Sequence, residues 1–299
     1  MQIISVLPDK KNTKTKRPIL FLHGSFHGAW CWTEKFFPYF ASKGHPLVAL
    51  SWRGTGGTYA GEGVKKVKIE DHVADLRCVV DILPEILATG TALQEPIVVA
   101  HSFGGLAVMK GLEEDPEFAT RLGGIVMMCS VPPSGNGKMT MRYLRRSLID
   151  SYKITVGFAM KRCIQNEDLC RQLFFGGRKQ ILADGSVDDF GVSDDDVECY
   201  QAYFKRDSEA TIDLLDLSKK LPSKNTLDGR APFADELPPC LVMGAAHDFI
   251  VDREGVDETA RYFGVGMPII IDSPHDVMLG AKWKNAAGEL AKWIEKSSL

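Results

Sequence analysis

No stretch of this 299-residue chain is apolar for long enough to cross a bilayer. The longest runs, such as Gly124 to Cys129, fall far short of the ~20 residues a membrane helix needs. An excess of one charge is also lacking. The 36 basic side chains are scattered among 39 acidic ones for a net charge of −3, which leaves no nucleic-acid footprint. The seven cysteines (31, 78, 129, 163, 170, 199 and 240) form no CxxC pair and are odd in number. That argues against a zinc site and for buried free thiols in a reducing compartment. The N-terminus, MQIISVLPDKK, lacks the charged-then-apolar pattern of a secretion signal and enters a strand almost at once. The expected location is therefore intracellular: the cytoplasm or, if a transit peptide has been removed, a plastid. There is no repeat and no low-complexity tract. What remains is ordinary globular composition, 44% hydrophobic and 25% charged, enough for one large core with an inserted subdomain.

Strand patterns fall at 1–7, 18–22, 46–51, 96–101, 123–131, 239–244 and 267–272. Helical patterns lie between them at about 30–42, 69–88, 103–113, 252–263 and 281–296. Thr55-Gly56-Gly57 and Asp9-Lys10-Lys11-Asn12 read as turns. Strands alternating with helices predict a mostly parallel sheet covered on both faces. The alternation stops between Pro132-Pro133-Ser134-Gly135 and the prolines at 232, 238 and 239. That stretch carries helical patterns at Met139–Lys153, Glu167–Phe175, Asp194–Arg206 and Ala210–Lys219, and no convincing strand. The expected division is a core of residues 1–133 and 236–299 with a helical cap at 134–235. Either the insertion pads the fold, or it covers the strand ends and shapes a pocket.

One short segment carries chemistry. In VVAHSFGGLAVMKGL, residues 98–112, a β-branched run passes straight into a helical pattern with Ser102 on the turn between. A serine there is a helix cap or an exposed nucleophile. The segment Ala100-His101-Ser102-Phe103-Gly104 departs from the G-x-S-x-G nucleophile elbow by one methyl group, at Ala100. The pattern is weak alone and needs partners.

A serine nucleophile needs a base, and the base needs a group that holds its tautomer. Of seven histidines, His72 sits in a helical pattern beside Glu70, Asp71, Asp75 and Arg77 and is expected at the surface. His45 falls in a loop. His101 adjoins Ser102, where neighbouring side chains diverge, and reads as packing or support. His275 follows the last strand pattern and the loop Ser273-Pro274, so it belongs at a carboxyl end, where ligands sit in such sheets. Among the acids, Asp252 reads as an N-cap, and Asp272 and Asp276 are too near His275 in sequence. Asp248, four residues beyond Gly244, is the expected third member. Two amides should stabilise an oxyanion: that of Phe103, after the nucleophile, and that of Ser25 in the loop Phe21-Leu22-His23-Gly24-Ser25-Phe26. No metal or cofactor is expected.

With these residues in view, the chain resembles the α/β-hydrolases over nearly its full length. The segment HGSFHGAWCW, residues 23–32, is similar to the His-Gly-x-x-His-Gly-Ala-Trp run of the plant esterase and hydroxynitrile lyase branch. The run Ser-Trp-Arg-Gly-Thr-Gly from Ser51 resembles a turn common in that fold. The resemblance implies triad roles for Ser102, Asp248 and His275 and oxyanion roles for Ser25 and Phe103. It also implies a pocket near Gly24, Phe26, His27 and Trp30, with Phe174 from the cap. The lyases have threonine at Gly24 and lysine at Asp276, so the departures favour an esterase. Ser102 in place of aspartate argues against dehalogenase and epoxide hydrolase chemistry. The expectation is a serine hydrolase acting on carboxylic esters of a small or lipid-like molecule. A ligand-sensing, hormone-receptor-like protein on the same fold stays open, as does a lyase. Of the cap's apolar residues Phe158, Met160, Leu173, Phe174, Phe175 and Leu182, a minority should face Ser102. The oligomeric state and the exact substrate are not legible.

Overall fold

The computed structural model describes residues 1–8, 16–88, 93–177, 180–181, 184–185, 187–188 and 191–299. The turn expected at Asp9–Asn12 and the side chain of Leu182 lie outside them. Seven strands form one sheet in the spatial order Ile3–Val6, Leu47–Leu50, Ile19–Leu22, Ile97–His101, Gly124–Met128, Cys240–His247 and Ile269–Pro274. Only the first pair is antiparallel. Strands 19–22, 47–50, 97–101 and 124–128 are buried at every residue, as a parallel sheet covered on both faces requires. This is the α/β-hydrolase fold. Among the described residues no helix is long and apolar enough to cross a membrane.

Three of the expected helices are each broken once, the one at 30–42 into Trp30–Thr33 and Phe36–Ser42. The pattern at 69–88 divides into Ile69–Asp81 and Leu83–Leu87 because Pro84 opens the second piece. The pattern at 139–153 divides into Gly135–Arg146 and Leu148–Ile154, where the Ser147 side chain accepts from the Asp150 amide and caps a new helix. Helices Glu167–Phe174, Asp194–Arg206 and Leu214–Lys219 follow, all before the last two strands of the sheet. The expectation of no strand in this stretch is corrected. Gln180–Ile181 pairs with Val187–Asp188, and Thr211–Ile212 pairs in parallel with Lys66–Val67 of the earlier chain. Two-residue strands carry no periodicity, so nothing local announces them.

Candidate active site

Ser102 follows the strand Ile97–His101 directly and precedes the helix Gly104–Glu114. Its φ is +52°, a left-handed conformation that a serine keeps only under constraint. Backbone hydrogen bonds supply the constraint. Ser102 N donates to the Met128 carbonyl at 3.1 Å, and the Ser102 carbonyl accepts from Gly105 N at 3.1 Å and Val131 N at 3.0 Å. A Cβ on Gly104 would lie 2.8 Å from the His23 carbonyl oxygen, so glycine lets the helix start against that loop. Ala100, in place of the motif's first glycine, is fully buried in the strand.

The strands Cys240–His247 and Ile269–Pro274 lie side by side, with a register shift between Ala245 and His247. Their carboxyl ends bring together two residues distant in sequence. His275 Nδ1 lies 2.8 Å from Asp248 Oδ2, both side chains almost wholly buried. The other oxygen, Oδ1, accepts from the amides of Ile250 and Val251, each at 2.8 Å. A proton on Nδ1 faces the carboxylate, so Nε2 of the neutral ring is the free acceptor. Burial opposes a charge on His275, but Asp248 and then Asp276 outweigh it and hold its pKa above the ordinary value. The Cys129 thiol, buried beside Asp248, is pushed well above its usual range by burial and by that carboxylate. Among the described residues Ser102 Oγ has no hydrogen-bond partner. In substrate-free hydrolases the serine–histidine contact is often longer than a hydrogen bond.

The loop at 23–26 is built on His23. Its Nδ1 donates to the Gly24 carbonyl at 2.7 Å and its Nε2 accepts from Trp52 N at 3.1 Å, while burial lowers its pKa to about 3. Neutral His23 thus acts as a rigid two-sided spacer. It holds Gly24 so near the elbow that a Cβ there would meet Ser102 Cβ at 2.7 Å and Oγ at 3.2 Å. The lyase threonine would not fit. Among the described residues the Ser25 and Phe103 amides donate to no acceptor, and both residues line one cavity with Ser102.

That cavity has a volume of about 360 Å³. Phe26 lines it as expected, in a left-handed conformation of φ +68°. The other four expected lining residues, Gly24, His27, Trp30 and Phe174, do not. His27, Trp30 and Phe174 instead pack against Phe204, with ring centroids 4.7 Å apart for His27–Phe204 and 5.0 Å for Phe174–Phe204. Gly24 lies beneath Ser102 and lines a smaller crevice with His23 and Trp52. From residues 134–235, Asn136, Met139, Thr140 and Tyr143 line the cavity and, further on, so do Leu214 and Leu217. Leu173, Phe174 and Phe175 are core residues, and Met160 is exposed.

His72 is also corrected: it is buried between Trp52 and Phe103, at 5.5 and 5.3 Å. It shares one broad inward face of its helix with Ile69, Val73, Leu76 and Val79, and burial lowers its pKa to about 4. Asp75, read as polar-face, is buried too and binds Arg53 through both oxygens. His45, expected in a loop, is buried with Nδ1 2.9 Å from the Arg17 carbonyl. His101 supports the site, with Nε2 3.0 Å from the His275 carbonyl. Asp252 caps its helix through Gly255 N and also binds Arg142.

Two buried carboxylates, Asp276 and Asp207, take roles that the sequence reading did not assign. Asp276 Oδ2 lies 2.9 Å from His27 Nε2, while His27 Nδ1 donates to the Ser25 carbonyl at 2.8 Å. A carbonyl only accepts, so the His27–Asp276 contact must carry a second proton. Burial would raise the Asp276 pKa, yet His27, His101 and His275 leave it below the usual carboxylate value. Asp207 accepts from Trp30 Nε1 and from Gly56 N, each at 2.8 Å, and so clamps the end of helix 194–206 to the start of the helix Trp30–Thr33 and to the turn at Gly56. No local signal marks either role. Four cysteines, 31, 129, 163 and 170, are buried and free, while Cys78 and Cys199 are exposed.

Comparison with known proteins gives a consistent result. Residues 19–286 match the family described as "Alpha/beta hydrolase family". A stretch of 122 residues, 41% of this chain, is 32% identical to norfluorocurarine synthase 1 of Strychnos nux-vomica and covers 41% of that protein. A stretch of 104 residues, 35% of this chain, is 31% identical to methyl jasmonate esterase 1 of Vitis vinifera and covers 36% of it. The chain thus spans about two fifths of the length of these curated relatives. A solved carboxylesterase of the thaumarchaeon Nitrososphaera gargenis superposes with a TM-score of 0.65 at 14% identity, over 99% of this chain and 94% of that one. At such identity the likeness concerns the fold.

Proposed function

Because the chain belongs to the alpha/beta hydrolase family, we propose that it is a serine hydrolase. It cleaves carboxylic esters of a small or lipid-like molecule through an acyl-enzyme. The observation that carries this is the strained Ser102 opening into a cavity, together with a buried, carboxylate-held His275 whose carbonyl meets His101, the residue before that serine. His275 Nε2 takes the Ser102 proton as Oγ attacks the ester carbonyl. The Ser25 and Phe103 amides, which have no other acceptor among the described residues, donate to the developing oxyanion. The tetrahedral intermediate collapses, and His275 passes its proton to the leaving alcohol. Water then attacks the acyl-serine with His275 again as base, and the carboxylic acid leaves. These steps use no metal and no cofactor.

Residues 134–235 act as a cap over this site, since Met139 and Leu217 line the cavity together with Ser102. Ester cleavage is also what the name of the grapevine relative describes. Gly24 and Asp276 speak against lyase chemistry, the first by its contact with Ser102 and the second by its pairing with His27. A fluorophosphonate probe should label the protein once, at Ser102. Ser102→Ala should fold and lose at least ~10³-fold in kcat on p-nitrophenyl acetate. Undiminished turnover by that variant refutes the reading. A single stoichiometric binding event without multiple turnover favours a ligand sensor.

A further inference from the structure

Two lysines break the apolar lining of the cavity that contains Ser102. Lys66 belongs to the short strand paired with Thr211–Ile212, and its Nζ donates to Thr211 Oγ1 at 3.1 Å. Lys161 is held in a left-handed conformation, φ +58°, and its Nζ donates to the Ser208 carbonyl at 2.5 Å. Both side chains line the cavity. An ammonium has three donors, so neither group is saturated by these contacts. Among the described residues neither Lys66 nor Lys161 forms an ion pair. Carboxylates are not scarce, for the chain has 39 acidic against 36 basic residues. Burial and the charges of Lys66 and Lys65 all work to lower the Lys161 pKa. Like charges gathered without a counter-ion beside an apolar cavity are unfavourable until an anion joins them. Ligand pockets usually hold a few placed polar groups in an apolar wall, and those groups set the ligand's orientation.

We propose that Lys66 and Lys161 form an anion subsite, so that the preferred substrate is an ester bearing a second, ionised acidic group. This rests on the serine-hydrolase reading for its position and on the lysines for its chemistry. The charge would lie away from Ser102, with the apolar part of the substrate against residues such as Met139 and Leu217. Neutral esters would bind the apolar wall and leave the lysines unanswered.

The test pairs acid-terminated with neutral esters of equal length. The acyl arm compares mono-p-nitrophenyl succinate, adipate and suberate with the butyrate, hexanoate and octanoate. The alcohol arm compares acetate esters of hydroxy acids with those of plain alcohols, followed by proton release. At least one acid-terminated ester should exceed its neutral partner in kcat/KM by about tenfold or more at low salt, and the ratio should fall as salt rises. Lys66→Met and Lys161→Met should each lower that ratio by about fivefold or more, while Lys161→Arg retains it. Ratios near one in both arms, or ratios that the methionine variants leave unchanged, overturn the proposal. Calorimetric binding of the same pairs to Ser102→Ala needs no turnover. A charge preference there without hydrolysis by the wild type would sink the serine-hydrolase reading and keep the subsite.

Discussion

Asp248→Asn isolates what the carboxylate does for His275. The amides of Ile250 and Val251 both donate to Oδ1. An asparagine must therefore place its carbonyl oxygen there, since its NH2 would face two donors. That leaves the NH2 at the Oδ2 position, 2.8 Å from His275 Nδ1. The amide then donates to Nδ1, the ring proton moves to Nε2, and the ring can no longer accept the Ser102 proton. The shape of the site is unchanged and only the tautomer is wrong. A loss of about 10⁴-fold in kcat is expected, or about 5.5 kcal/mol in the barrier, with the thermal midpoint near that of the wild type. Steady-state kinetics on p-nitrophenyl acetate and a thermal melt read both quantities. Asp276→Asn is the control, because Asp276 is equally buried beside a histidine yet faces His27. It should cost about 3–5 kcal/mol of stability, as a broken buried pair does, and less than about tenfold in kcat. If Asp248→Asn loses under about tenfold, or the folded Asp276 variant is the crippled one, the assignment of the acid is wrong.

Wild-type kcat/KM should fall as pH drops through the His275 pKa, which lies above the ordinary 6.5, because the neutral ring is the base. Asp276→Asn removes one charge that raises it, so the acid limb of the pH profile should move to lower pH; a limb that stays put contradicts the electrostatic account. Gly24→Thr should cost at least ~10²-fold in kcat and about 1–3 kcal/mol in denaturant unfolding, since its Cβ displaces Ser102. Wild-type kinetics from that variant would refute the close approach. Met139→Ala and Leu217→Ala should shift the preferred acyl length by about 1–3 kcal/mol per methylene in a p-nitrophenyl ester series. Leu173→Ala should instead cost about 2–5 kcal/mol of stability and leave the length profile alone.

The strand-to-helix turn at Ser102 and the pairing of Asp248 with His275 were legible from the sequence, because each depends on short-range signals. A β-branched run, a small-residue turn and a helical period lie within a dozen residues of Ser102. Asp248 and His275 each stand a few residues past the end of a strand pattern. The seven strands of the main sheet were legible for the same reason. Beyond that reach the sequence alone was insufficient. Lys66 and Lys161 lie far apart in the chain and come to one cavity only because Lys66–Val67 pairs with Thr211–Ile212 and Lys161 reaches the Ser208 carbonyl. His72 looked solvated among charged neighbours, yet the buried face of its helix is broad enough to take in His72 and Asp75. The expected pocket wall around 155–182 lies mainly at 136–155 and 211–217, and His27, Trp30 and Phe174 pack against Phe204 instead. Local chain chemistry decides which element forms and what side chain stands at its end. Which remote element covers that end, and with which face, is decided by packing between segments that no local pattern connects.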